Sequence, residues 1–311
     1  MEAGGNSCTQ ETACYVRNYG ALDETVSPIV KPIAKFDDKA SAFQAMRKGT
    51  RGAFATVAMV ERRWMPGRDP VKFSRPPNTV LFMVFDEDEN LSTRKVQLDN
   101  KGFNTFNPGN CLACHGISST YDFETAKVSD AFFLPFDLQS FEYFSLDPTR
   151  QLSREFQESS FKALNLMVYS TDLSSLAAVP WLYTQWYGDG FSSDTFHDTT
   201  SVNVPFGWKL NPNSKQLYAQ VVAKACRTCH VSAQGKTASD ILMPTLAFGT
   251  FSDFLRNKAG IARDVCGPEK FMPQAEQTMK LFWQSSARSH LLNRALIRGT
   301  GCGFEVNLDP Q

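Results

Sequence analysis

Two pentapeptides in the chain have the composition and spacing for chemistry: Cys111-Leu-Ala-Cys-His115 and Cys226-Arg-Thr-Cys-His230. With eight Cys and four His in 311 residues, independent placement gives about 0.003 such pentapeptides per chain, so two together are not an accident of composition. On a turn entering a helix, cysteines three apart face the same side. There their thiols can form thioethers with the two vinyl groups of haem, and the next His sets its imidazole beneath the iron. The spacing therefore predicts two covalently bound haem c groups, attached through Cys111 and Cys114 and through Cys226 and Cys229, with His115 and His230 as proximal iron ligands. Zinc is a weaker fit, because the pairs lie far apart in the chain and each carries an adjacent His that zinc does not require. A thioredoxin-like redox pair normally occurs singly, after a strand and without the trailing His.

Over these motifs, and on to about residue 284, the chain resembles the c-type cytochrome superfamily. The resemblance implies attachment of haem after export, and so a periplasmic or extracellular location. The opening Met-Glu-Ala-Gly-Gly-Asn-Ser-Cys has neither a basic start nor an apolar run, so such a location requires a signal peptide already removed. Outside the motifs remain Cys8, Cys14, Cys266 and Cys302. An even remainder fits disulfides in an oxidising compartment, with unpaired buried thiols as the alternative. Cys266 to Cys302 is the expected bridge, with Cys8 to Cys14 as a second.

The resemblance also implies a distal ligand for the second iron. Met272-Pro273, in Phe-Met-Pro-Gln-Ala, is similar to the Met-Pro loop that closes over haem in many class I cytochromes. A thioether there favours the ferrous state and raises the potential. Met243-Pro244 and Met65-Pro66 share the dipeptide, but Met243 sits in an apolar run suited to a core and Met65 in a turn. No Met-Pro loop follows the first motif. His197, in Asp-Thr-Phe-His-Asp-Thr-Thr, is the leading candidate there, ahead of Met167, Tyr121, Tyr143 and Tyr169, and an open five-coordinate iron is the alternative. Met167 lies in a helical apolar stripe with Phe161, Leu164 and Val168 that suggests packing, and His290 reads as a surface residue.

The elements that must hold these residues point to a mainly α fold. It comprises two cytochrome c-like haem-binding helical regions and a small N-terminal antiparallel β module. Residues 1–105 contain two runs rich in Val, Phe and Met, Ala53 to Trp64 and Thr79 to Phe85. The acidic turn Asp86 to Asn90 and a further run, Leu91 to Leu98, follow. The first haem region, 106–202, opens on the turn Asn107-Pro108-Gly109-Asn110. Three helical pieces follow, Asp137 to Phe144, Arg150 to Tyr169 and Leu173 to Tyr187, the last ended by Gly188 and Gly190. The second region, 203–311, starts with a helix near Ser214 that runs into Cys226, and ends with helices at Gln274 to Trp283 and Ser289 to Arg298.

Composition bounds the partners. The chain is 42% hydrophobic and 21% charged, with 32 basic and 32 acidic residues, so no whole-chain field draws it to nucleic acid or to an anionic membrane. No apolar run reaches the length of a transmembrane helix. These readings favour a carrier of single electrons between redox protein donors and acceptors, with no residue given a catalytic role and oligomerisation left open. A second reading is a peroxidase-type oxidoreductase with one open iron, on a looser resemblance to bacterial di-haem cytochrome c peroxidases. That pattern is incomplete, since the next His after His115 is His197, and a proton-moving group would have to be Glu124 or Glu142. A third is a structural subunit of a multi-haem assembly.

Overall fold

The computed structural model describes residues 12–19, 47, 53, 55–62, 79–86, 88–92, 107–116, 120–122, 127–129, 131–143, 150–171, 178–193, 203–210, 212–233, 246–267, 272 and 275–294. The chain divides into two units: Met1–Phe133 with Met167–Asp172, and Leu134–Leu166 with Leu173–Gln311. Among the described residues helices outweigh strands, and a three-stranded sheet lies towards the N-terminus, as expected for a mainly α chain with a small β module.

In the first unit, β1 (Thr12–Asn18), β2 (Ala55–Arg62) and β3 (Thr79–Phe85) form an antiparallel sheet in that order. β-Branched and aromatic residues suit the pleated, half-buried surface. The register sets Met59 opposite both Cys14 and Phe82, and Val57 opposite both Val16 and Val84, so alternate residues share a face. Ala55, Met59, Val80 and Val84 are buried there.

The third strand described is β1, which the sequence reading did not include. The acidic turn does reverse the chain: the Asp86 carboxylate accepts the N–H groups of Asp88 at 3.1 Å and Asn90 at 2.8 Å, and Glu89 takes φ 64°. Beyond it Leu91 makes a single bridge to Phe85, and residues 93–98 lie outside the described ones. The expected turn before Cys111 is present at Asn107-Pro108, with a cis peptide bond, and leads into α1 (Gly109–His115). A short hairpin of β4 (Thr120–Asp122) and β5 (Lys127–Ser129) follows, with β5 against β3.

The second unit takes in the body of α2 (Arg154–Tyr169) and α3 (Ala178–Tyr187). α3 ends, as expected, at Gly188, where φ 74° suits a residue without Cβ. Asp137 to Phe144 is not a helix: a single 3-10 turn spans Leu138–Ser140, capped by the Asp137 carboxylate on the Gln139 N–H.

A continuous helical run then passes from α4 (Pro212–Leu217) through a π-helical stretch, Tyr218–Cys226, to the last turn α5 (Arg227–His230). α6 (Phe251–Arg256), α7 (Lys258–Asp264), α8 (Glu276–Gln284) and α9 (Ala287–Arg294) complete the unit. Leu217, Tyr218, Val221 and Val222 of the helical run pack with Trp208, Phe248, Phe254, Met279, Phe282 and Leu291 in one core. A mostly apolar stripe on the run is what drives that burial.

Candidate functional site

α1 delivers the first motif from the end of the sheet. The Pro108 carbonyl accepts the N–H groups of Cys111 at 2.9 Å and Leu112 at 3.0 Å, which starts the helix. The Asn107 amide donates to the Phe82 carbonyl at 3.0 Å and ties the turn to β3. Cys111 is buried, and its Sγ lies 3.4 Å from the Asn110 Oδ1. Desolvation pushes its thiol up to about 12, so it is protonated at neutral pH.

His115 is held on both sides of its peptide unit and ring. Its carbonyl accepts the Phe132 N–H at 2.8 Å, and its ring Nδ1 lies 3.0 Å from the Phe132 carbonyl oxygen. A carbonyl has no proton to give, so Nδ1 carries the hydrogen and Nε2 is left with its lone pair. Burial lowers the imidazole pKa against the opposing effect of the Phe132 bond, which favours the neutral ring that a metal ligand must be. The Phe82 ring lies against it, with centroids 5.8 Å apart.

The second motif is approached differently and arrives at the same arrangement. Cys226 ends the π-helical stretch with φ −122°, and the Arg227 N–H reaches back five residues to the Val222 carbonyl. Such π segments insert an extra residue per turn and recur at functional sites. The His230 Nδ1 lies 2.8 Å from the Leu246 carbonyl, which again leaves Nε2 unprotonated, and burial lowers this pKa too.

The segment carrying Leu246 is anchored beyond it. The Trp208 Nε1–H donates to the Phe248 carbonyl at 2.8 Å, while Phe248 takes φ 51° and stacks on His230 at 4.6 Å with 21° between the planes. That backbone conformation costs about 1–3 kcal/mol in a residue with a side chain, and the surrounding contacts must overdetermine it. Gly207 lets Trp208 approach: a Cβ there would meet the Thr250 side chain at 2.7 Å. Thr250 and Asp253 close the segment with a capping box on α6.

The residues bracketing the second motif also include a buried ion pair. The Arg227 Nε lies 2.7 Å from Asp137 Oδ2 and its Nη2 2.9 Å from Oδ1, while Nη1 donates to the Tyr218 hydroxyl at 3.3 Å. The guanidinium also sits over the Trp186 ring, 5.3 Å from its centroid. Sequence reasoning misses this pair, along with the Phe132 and Leu246 carbonyls. Asp137 reads as the start of an amphipathic helix, and backbone acceptors have no side-chain signal.

The distal candidates fare unequally. Met272 is described and half-buried, packed like Cys226 and Trp283 against the core of the second unit. Its carbonyl accepts the Ala275 N–H at 3.1 Å. His197, Met243, Met65 and Glu124 lie outside the described residues, as does the side chain of Tyr121. Met167 is exposed at 42% rather than packed in a stripe, because α2 turns Asn165 and Val168 inward instead. Tyr169 is exposed, and Tyr143 is half-buried with desolvation raising its pKa. Glu142 is exposed, and His290 on α9 is half-buried rather than fully at the surface. Cys266 is disulfide-bonded, with its partner outside the described residues. Cys14 is a free thiol on β1, which corrects the expected bridge from Cys8.

No disulfide joins Cys111 to Cys114 or Cys226 to Cys229. Burial pushes the Cys226 thiol up to about 12, like that of Cys111. Among the described residues no three His, Cys, Asp or Glu side chains gather into a metal-holding group. In each motif a Cys-x-x-Cys pair precedes a His whose Nδ1 faces a backbone carbonyl and whose Nε2 keeps its lone pair, a donor set that fits covalent haem attachment with iron ligation. Comparison with protein-family models, curated proteins and solved structures yields no match.

Proposed function

We propose that the chain is a di-haem c-type cytochrome that passes single electrons between redox partners outside the cytoplasm. The observation that carries this reading is the repeated treatment of the two motif histidines. Each gives its Nδ1–H to a backbone carbonyl, Phe132 or Leu246, and keeps Nε2 for a metal. Haem, when bound, supplies the one-electron chemistry of its iron. The chain's own residues would hold it through Cys111, Cys114, Cys226 and Cys229, with His115 and His230 as iron ligands, and they surround the second motif with aromatic side chains. Met272 is the residue proposed to complete the second iron's coordination. Among the described residues no helix is long and apolar enough to cross a membrane. Redox proteins are the proposed donors and acceptors.

The test is retention of haem by the denatured polypeptide. After export in a host competent for cytochrome maturation, acidic organic solvent should leave two haems per chain on the protein by mass. Extraction of either one, or a mass matching the bare chain, refutes the assignment.

A further inference from the structure

Arg227 and Asp137 are 4% and 1% exposed, among the most completely buried charged side chains described. Such a pair is seldom there for stability alone, since desolvating two ions offsets most of their attraction. Its placement is therefore informative. Arg227 is the residue between Cys226 and Thr228 in the second motif, and three of its guanidinium nitrogens are committed, to both oxygens of Asp137 and to the Tyr218 hydroxyl. Asp137 is fixed in turn. One of its oxygens caps the Gln139 N–H, and the preceding peptide is clamped by Asn165, whose side chain bonds both the Phe136 N–H, at 2.8 Å, and the Phe136 carbonyl, at 3.0 Å.

We propose that Arg227 and Asp137 are a positioning pair that orients the second attachment turn and, by remaining mutually neutralised, sets the reduction potential of the iron held by His230. The inference rests on the two-haem reading. A ferric site carries one more positive charge than a ferrous one. A lone buried cation beside the attachment cysteines would therefore favour reduction, and a lone buried anion would favour oxidation. In the low-dielectric interior these effects are poorly screened. The forked geometry also orients α5, and a lysine cannot reproduce it.

The experiment is a redox titration of the full haem-loaded chain, with covalent haem counted by mass first. Asp137→Asn should raise one of the two midpoints and leave the other in place. Arg227→Gln should lower that same midpoint, and the double variant should return it close to wild type. Arg227→Lys should keep the midpoint while lowering thermal stability. A role confined to packing predicts displacement of the same sign in both single variants, so shifts of equal sign, or none, overturn the proposal. Should Asp137→Asn fail to load, the sign test stands on Arg227→Gln against the double variant, in which no charge is left buried. A wild-type chain without covalent haem sinks the underlying reading together with this one; two haems with unmoved midpoints sink this one alone.

Discussion

Replacing Asn165 by Ala tests the scaffold behind the second motif without assuming any bound group. The Asn165 side chain is fully buried and makes three hydrogen bonds: from the Phe136 N–H at 2.8 Å, to the Phe136 carbonyl at 3.0 Å and to the Tyr187 hydroxyl at 3.0 Å. Alanine removes all three and leaves their partners behind. An unsatisfied buried polar group costs about 1–3 kcal/mol. Phe136 is only half-buried, so water can recover part of its loss, while Tyr187 lies in the aromatic packing of Phe191 and Trp186. A total of about 3–5 kcal/mol follows, a large share of the roughly 5–15 kcal/mol that holds a typical domain together.

Urea denaturation followed by circular dichroism reads this directly, as a drop in midpoint at unchanged slope. Tyr187→Phe, which removes one partner, should cost about 1 kcal/mol in the same assay. A loss below about 1 kcal/mol for Asn165→Ala would refute the reasoning, because the three bonds would then be replaceable by solvent.

On the proposed two-haem reading, Met272→Ala should abolish a sulfur-to-iron charge-transfer band and lower the potential of one haem, since the ferrous state would lose a soft ligand; an unchanged spectrum would move that role to another residue. Cys266→Ser should destabilise the chain by about 2–4 kcal/mol through loss of its disulfide. Alkylation of the denatured, unreduced protein followed by peptide mapping should label Cys14 and leave Cys266 unmodified, and labelling of Cys266 would contradict the bridge.

What the sequence reveals of this molecule follows the range of the forces involved. The turn into Cys111 and the long helix into Cys226 are both legible, because Pro-Gly chemistry and an apolar stripe at helical spacing act over a few residues. The hairpin turn at Asp86 is legible for the same reason. The strand β1 is not, since its partner in the register lies some forty residues away and its own pattern of exposure is weak. Asp137 is hidden for a related cause: its burial is decided by Arg227, 90 residues further on, and nothing local marks a carboxylate for such a partner. Met167 shows the opposite error. A stripe of apolar residues on α2 suggests packing, yet a polar side chain, Asn165, takes the buried position because it has three hydrogen bonds to make there.

The two motif histidines are oriented alike in unlike surroundings. Their surroundings have little in common: one follows a turn anchored to a β-sheet, the other a π-helical stretch in a helical core. Both nevertheless orient the imidazole by the same device, a backbone carbonyl lying 17 residues downstream of His115 and 16 downstream of His230. A carbonyl acceptor asks nothing of the side chain that carries it, so Phe132 and Leu246 need share no residue type, and only the path of the chain has to be right. The constraint is thus carried by loop geometry, while the pentapeptide supplies the atoms that the proposed haem attachment would use. Distal ligation lacks this economy. It would require a particular side chain to arrive from elsewhere in the sequence, which is why Met272 is proposed only through its Pro neighbour and the first motif offers no equivalent cue.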